Sequence, residues 1–286
     1  SSVKSPRGCQ GGLGTIKMVR ATDEFIMNSY IERVYCRPWG LFGGHPAAGN
    51  QVAVLLNGSN MWMLQYMRDN VPYDVLRDLA PVTLAVSSPC ILIVHPSLPV
   101  KSAKDLIALA RARPNELNYA AAPGGLIHIA AELFKSMAKV KMVHVAYKGG
   151  GPSLNALFGG EVQLMFPTAG TVASQLDSKR LRALAVTSLK PSALFPQLPT
   201  IAATGLPGYE SVGRFAMFVP LKTPEAIIAR LNQEIIRVLG RQEAIARLNA
   251  AGIETVGSTP AQLTAVVKEE MATLGKVIRE AGMRVE

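Results

Sequence analysis

Cysteine is nearly absent from this chain: Cys9, Cys36 and Cys90 are the only three in 286 residues. None of their spacings is of the C-x-x-C metal-binding kind, and an odd number leaves at least one thiol free, so they read as buried or incidental thiols. Aromatic residues are scarce at 6%, whereas Ala, Val, Leu and Gly are plentiful, a balance that suits an α/β protein. No uninterrupted apolar run approaches the roughly 18 to 20 residues of a membrane span, so the chain is expected to be soluble. Residues Ser1 to Arg20 hold no apolar core ending in small residues, which leaves a cytosolic protein or one whose secretory signal has been removed. Enzyme signatures are missing as well. There is no G-x-S-x-G elbow, no H-E-x-x-H and no phosphate-binding P-loop. The four histidines, His45, His95, His128 and His144, include no pair at helical i, i+4 spacing, which argues against a zinc site. No metal and no cofactor are expected.

Acidic residues are also in the minority, 20 against 30 Lys and Arg, for a formal charge of +10. Basic proteins meet nucleic acid, membrane surfaces or small anions. Here the cations are scattered, adjacent only rarely as in Lys179-Arg180, and never interleaved with aromatics, so nucleic acid is not expected and a small anion fits better. At 49% hydrophobic and 17% charged, the chain is long enough for one large domain or two of ordinary size.

From about Asn50 the organisation is regular. Strands are expected at 52–56, 91–94, 117–120, 140–145, 162–166 and 181–186, with a further apolar stretch at 79–86. Between them lie helices beginning behind the Ser102–Asp105 capping box, at 126–137, at 152–158 and at 172–176. Such alternation predicts parallel, doubly wound sheets covered on both faces. Thr223-Pro224-Glu225 predicts an N-cap, a first-turn proline and a first-turn acid. The helix behind them carries Ile227, Ile228, Leu231, Ile235, Val238 and Leu239 on one core-facing side, and Gly240 closes it. A second helix ends near Gly252, a strand follows at 253–256, and Thr259-Pro260 starts a long last helix. Residues 1–50 do not join this pattern: Gly11-Gly12-Leu13-Gly14 lacks the strand a phosphate loop needs, and 25–34 is one weak helix.

Three strand-end segments could hold a ligand. Ala121-Ala122-Pro123-Gly124-Gly125 leads into a helix carrying His128, and such a turn exposes backbone amides at the positive end of the helix dipole. His128 reads equally as a partly exposed helix residue or as a donor to a ligand there. Tyr147-Lys148-Gly149-Gly150-Gly151 and Phe166-Pro167-Thr168-Ala169 follow the next strands. At one sheet edge, three amide-rich loops make an anion cleft. None offers a nucleophile paired with a base, so binding is favoured over catalysis.

The order of segments resembles the solute-binding receptors of tripartite tricarboxylate transporters, the Bug receptors. The motifs are Val71-Pro72-Tyr73-Asp74, Leu79-Ala80-Pro81-Val82-Thr83, His95-Pro96-Ser97-Leu98-Pro99-Val100 with Ala103-Lys104-Asp105-Leu106, and Asn118-Tyr119-Ala120. They continue through His128 with Glu132-Leu133-Phe134-Lys135, His144 to Gly149, Leu181 to Thr187 and Gly205 to Glu210. The match runs over about residues 51–286.

The resemblance implies a two-lobed type II periplasmic-binding-protein fold, each lobe a doubly wound sheet flanked by helices. Lobe one would be 1–97 plus 221–286 and lobe two 98–220, with crossings near Pro96–Pro99 and Val219–Thr223. It implies a monomeric, periplasmic receptor, not an enzyme, that closes on a small organic acid and delivers it to membrane permease subunits. Carried over by position, Gly58, Ser59 and Asn60 would touch ligand from lobe one. Ala122, Pro123, Gly124, Gly125 and His128 would cradle one carboxylate. Tyr147, Lys148 and Gly149 would line the wall, Lys148 as a hinge-side or surface charge, and Pro167 and Thr168 would face the ligand's far end. The chain departs from the family where Leu126-Ile127 stand in place of a Ser or Thr, where Pro167 replaces an Asp found in receptors of amino acids, and over residues 1–50, where only Ala47-Ala48-Gly49-Asn50 hints at a second Gly-rich loop. The alternatives are an α/β enzyme acting on an anionic substrate and a degenerate receptor that no longer binds.

Overall fold

A computed structural model describes residues 54–176 and 178–285. Cys9, Cys36, His45, the glycine run at 11–14, the weak helix at 25–34 and the hint at 47–50 all lie outside the described residues.

The elements, in order, begin with β1 (Leu55–Gly58), α1 (Asn60–Met63), α2 (Val75–Asp78), β2 (Leu79–Pro89) and β3 (Ile91–Val94). Then come α3 (Ala103–Ala112), β4 (Asn118–Ala121), α4 (Leu126–Ala138), β5 (Val143–Ala146), α5 (Gly150–Phe158) and β6 (Leu164–Met165). The chain continues with α6 (Ala169–Val172), β7 (Arg182–Val186), α7 (Ile201–Thr204) and β8 (Val212–Pro220). It closes with α8 (Glu225–Leu239), α9 (Gln242–Ala250), β9 (Glu254–Thr255) and α10 (Pro260–Glu280).

The strands form two sheets, ordered β1-β8-β2-β9 and β5-β4-β6-β3-β7. Two stretches join them. Strand β2 leaves the first sheet and continues through Cys90 as β3 of the second, and the chain returns between β7 and β8. Ile91–Val94 already pair in the second sheet and Val212–Pro220 in the first, so the changes of sheet precede the expected crossings at 96–99 and 219–223. This path also corrects the expectation of purely parallel sheets. An outgoing and a returning strand side by side must be antiparallel, and β2 and β8 are, from Leu79↔Pro220 to Pro89↔Val212. β1 and β9 are antiparallel to them as well. In the second sheet β4 runs parallel to β5 and β6, and only β3, the outgoing strand, runs against its neighbours.

Local chemistry sets the helix starts. The Ser102 hydroxyl accepts from Asp105 N–H (3.1 Å), and the Asp105 carboxylate takes the Lys101 N–H (3.0 Å). Thr259 and Gln262 complete a reciprocal capping box at α10, with Pro260 in its first turn. The start of α8 differs from expectation. Pro224 occupies the N-cap position without a side-chain bond, its carbonyl accepting from Ile227 and Ile228 N–H, while Thr223 N–H closes a turn on Pro220.

One core runs from α1 and α10 through the sheets to α3 and α4, and includes the fully buried Trp62, Tyr119, Phe134 and Phe166. A second lies between the second sheet and α5 and α6, and a third packs α8, through Ile235 and Leu239, on Val82 and Met217. Ile227, expected to face inward, is 36% exposed, whereas its neighbours Ile228 and Leu231 pack against this third core.

Candidate functional site

Because β4 is parallel to both β5 and β6, the loops at their carboxyl ends emerge at one edge. Ala122–Gly125, Tyr147–Gly149 and Pro167–Thr168 thus come together as the sequence predicts. The helix starts behind these loops lie close together: a β-carbon built on Gly150 of α5 would lie 3.4 Å from Thr171 Cγ2 of α6 and 3.9 Å from Ile127 Cδ1 of α4. Their helices α4 and α5 start at this edge, and the first amides of each have no acceptor within the helix.

The individual residues differ in what they present. Ala122 is half-buried and its carbonyl accepts from Gly125 N–H (3.2 Å), while Pro123 is exposed. Tyr147 donates to Glu161 (3.2 Å). Lys148 is exposed, with no ion-pair partner among the described residues, as a surface charge would be. Gly149, at φ +141°, sits where an L side chain is strained, and its carbonyl takes the Ser153 hydroxyl (2.8 Å). Pro167 is buried and its carbonyl accepts from Ile91 N–H (2.9 Å). The hydroxyl of half-buried Thr168 pairs with that of Thr171 at 2.8 Å.

His128 faces protein rather than open space. It is 8% exposed, stacked on His144 with ring centroids 3.9 Å apart, and its Nδ1 accepts the Gly124 N–H at 3.2 Å. Nε2 is directed at Glu132, 3.8 Å away. With Nδ1 accepting, the neutral ring carries its proton on Nε2. Burial, reinforced by His144 and countered by Glu132, pushes the imidazole down to about 4. Glu132 in turn receives the Tyr119 hydroxyl and Lys135 Nζ (2.7 Å), and burial with that carboxylate raises the phenol. His144 Nε2 lies 3.0 Å from the Ala121 carbonyl, so that nitrogen donates. The cluster thus grips the strand end at Ala121 and the loop at Gly124 from behind.

Gly58–Asn60 lies at the other sheet, where β1 ends at Gly58 and α1 begins at Asn60. Ser59 N–H donates to the Arg214 carbonyl (3.0 Å), and the next residue back, Gly213, would place a β-carbon 3.0 Å from Leu126 Cδ2 at the start of α4. The first-lobe segment is therefore anchored beside the second-lobe cradle. Arg214 is fixed by an interior ion network, bonding Glu270, which also accepts from Trp62 Nε1 (2.8 Å), and Glu210 (2.6 Å). Gly124, at φ +70°, abuts Met67 and Val285 of the first lobe. A second backbone approach joins the lobes: a β-carbon on Gly252 would come 2.5 Å from Gly170 N.

Sequence reasoning did not find β8, Gly213, Arg214, Gly170 or Ser211. Phe215–Val219, an apolar run ended by Pro220, was the available signal for the strand. Nothing local marks the glycines, whose partners are distant in sequence. Buried Cys90, between the sheets, has a thiol pushed up to about 12 by burial, which makes it inert. No three His, Cys, Asp or Glu among the described residues are grouped to hold a metal ion, and no described helix is long and apolar enough to cross a membrane.

Two α/β lobes joined by crossing strands, with amide-rich loops at the seam, define a binding protein of the periplasmic solute-receptor architecture. The model of the TctC family, described as tripartite tricarboxylate transporter family receptor, matches residues 47–283, and the chain belongs to that family. Protein BugT of Bordetella pertussis is 34% identical over 218 residues, covering 76% of this chain and 67% of that protein. A UPF0065 protein from the tcbD-tcbE intergenic region of a Pseudomonas species is 34% identical over 229 residues, 79% and 68% of the two chains. Among solved structures, R. palustris Rpa4515 with adipate superimposes with a TM-score of 0.68 at 34% identity, over 81% of this chain and 78% of that one. The periplasmic binding protein BugD gives 0.65 at 25%, over 82% and 79%.

Proposed function

We propose that this chain captures a small organic acid between its lobes in the periplasm and delivers it, as a monomer, to the permease subunits of a tripartite tricarboxylate-type transporter. The observation that carries the reading is the meeting of the α4 and α5 starts at one sheet edge, opposite the Gly58–Asn60 segment. Unpaired amides and two positive helix ends at one place suit a carboxylate and disfavour a cation. Family membership and the adipate in a relative 34% identical point the same way. Ala122–Gly125 would cradle one carboxylate against the free first-turn amides of α4, while the Gly124 and Gly125 N–H groups, taken by His128 Nδ1 and the Ala122 carbonyl, fix the shape of the loop. Gly58, Ser59, Tyr147, Gly149 and Thr168 would line the remaining walls. The lobes would move about the two stretches where strands change sheet, next to Cys90 and between Val186 and Val212. Such a site binds without making or breaking covalent bonds.

A thermal-shift screen against mono-, di- and tricarboxylates, with neutral and amine-bearing controls, tests this. A ligand at about 100 times its Kd adds about 2.7 kcal/mol, read as several degrees. Stabilisation by one carboxylate class alone is expected; equal response to acids and neutral controls would refute the reading.

A further inference from the structure

Ser211 lies on the returning stretch just before β8. It is 1% exposed, and its hydroxyl has no hydrogen-bond partner among the described residues. Its backbone is fully used: the N–H donates to the Thr187 carbonyl (3.0 Å), and the carbonyl accepts the Thr187 hydroxyl (2.6 Å). Only the side chain is left over. An unpaired buried hydroxyl is a standing cost that native structures rarely carry without a reason.

Its neighbours show where it is aimed. Glu210 and Arg214 pair with each other at 2.6 Å on the side of α10, where Arg214 also meets Glu270. Tyr209 and Gly213 face the other way, to α4: the Tyr209 hydroxyl donates to the Ala130 carbonyl (2.8 Å), and a β-carbon on Gly213 would meet Leu126. Alternate residues of an extended chain share a side. Ser211, two residues before Gly213 at the entry to β8, therefore shares its side, toward Leu126 at the first turn of the 13-residue helix α4, where leading amides lack intrahelical acceptors.

We infer that Ser211 is a ligand-binding residue, whose hydroxyl donates to an oxygen of the carboxylate held at the start of α4. This rests on the carboxylate-receptor reading above and adds a contact to it. A carboxylate is acceptor-only, so one group satisfies both the hydroxyl and the helix amides. A cation would satisfy neither of these as donors.

The test is calorimetric titration of the wild type and of Ser211→Ala with succinate, glutarate and adipate, alongside ligand-free melting of both. The variant is expected to bind at least about tenfold more weakly, as loss of a hydrogen bond to a charged group does. Its ligand-free melting temperature is expected to equal or exceed that of the wild type, because alanine removes a group that had no partner. Equal affinity in the two proteins would overturn the inference while leaving the receptor reading intact. So would unchanged affinity with a lower ligand-free melting temperature, which would assign the hydroxyl to the fold. A wild type that binds none of the three acids would overturn the carboxylate reading and the Ser211 contact together.

Discussion

Replacing Glu270 by alanine removes the centre of the network beneath the first-lobe side of the site. The Glu270 side chain is 8% exposed and that of Arg214 11%, so the pair is shielded from water. Without Glu270, Arg214 keeps only Glu210, whose side chain is 34% exposed, and Trp62 Nε1–H, now 2.8 Å from a carboxylate oxygen, loses its acceptor. Breaking a buried pair from one side costs about 3 to 5 kcal/mol, within which the orphaned indole N–H contributes about 1 to 3. At about 2 to 4 °C per kcal/mol for a protein of this size, Glu270→Ala should melt about 6 to 20 °C below the wild type in scanning calorimetry. Glu270→Gln, which still offers Trp62 an oxygen, should fall between. Glu243→Ala is the contrast, since its ion pair with Arg247 joins side chains 73% and 76% exposed, and exposed pairs contribute under about 1 kcal/mol. A Glu270→Ala melt within 2 °C of the wild type would refute the assignment of this network as the support of Arg214 and Ser59.

Two further outcomes follow from the same geometry. His128 is held down to about 4 in the fold, against about 6.5 when unfolded, so the unfolded chain binds the extra proton first. Its contribution is therefore complete above about pH 6.5 and is lost as pH falls towards 4, by up to about 3 kcal/mol. Melting temperatures of His128→Gln should show a flatter slope across that window, and an unchanged slope would contradict the buried neutral ring. Gly252→Ala places a methyl 2.5 Å from Gly170 N at φ +74°. The left-handed backbone costs about 1 to 2 kcal/mol and the overlap about 1 to 3, so a melt at least 4 °C lower is expected, and wild-type stability would mean the lobes do not meet there.

Much of the architecture was open to reading from local pattern. Ser102, Thr259 and the glycine after α8 mark helix ends through bonds made within three or four residues, and the strands at 91–94 and 182–186 stand out as apolar runs. Strand direction was not legible, because alternation looks the same in parallel and antiparallel sheets. Only the double crossing of the chain sets β2 against β8. The strand Val212–Pro220 was missed because Gly213 and Arg214 interrupt its apolar run, and both are there for distant partners, Leu126 and Glu270. The three loops were found because each follows its strand by a few residues. What His128 does could not be read, since that depends on Gly124 turning its amide back at φ +70°. The same sequence could have sent either ring nitrogen outward.

The central claim is that two helix starts and their loops bind a carboxylate. Isothermal titration of the whole chain with adipate, and with 1,6-hexanediol as a neutral molecule of the same carbon count, tests it most directly. The account predicts saturable binding of the acid and none of the diol. Equal heats for the two, or no saturable binding of adipate or of shorter and longer dicarboxylates at millimolar concentration, would contradict it.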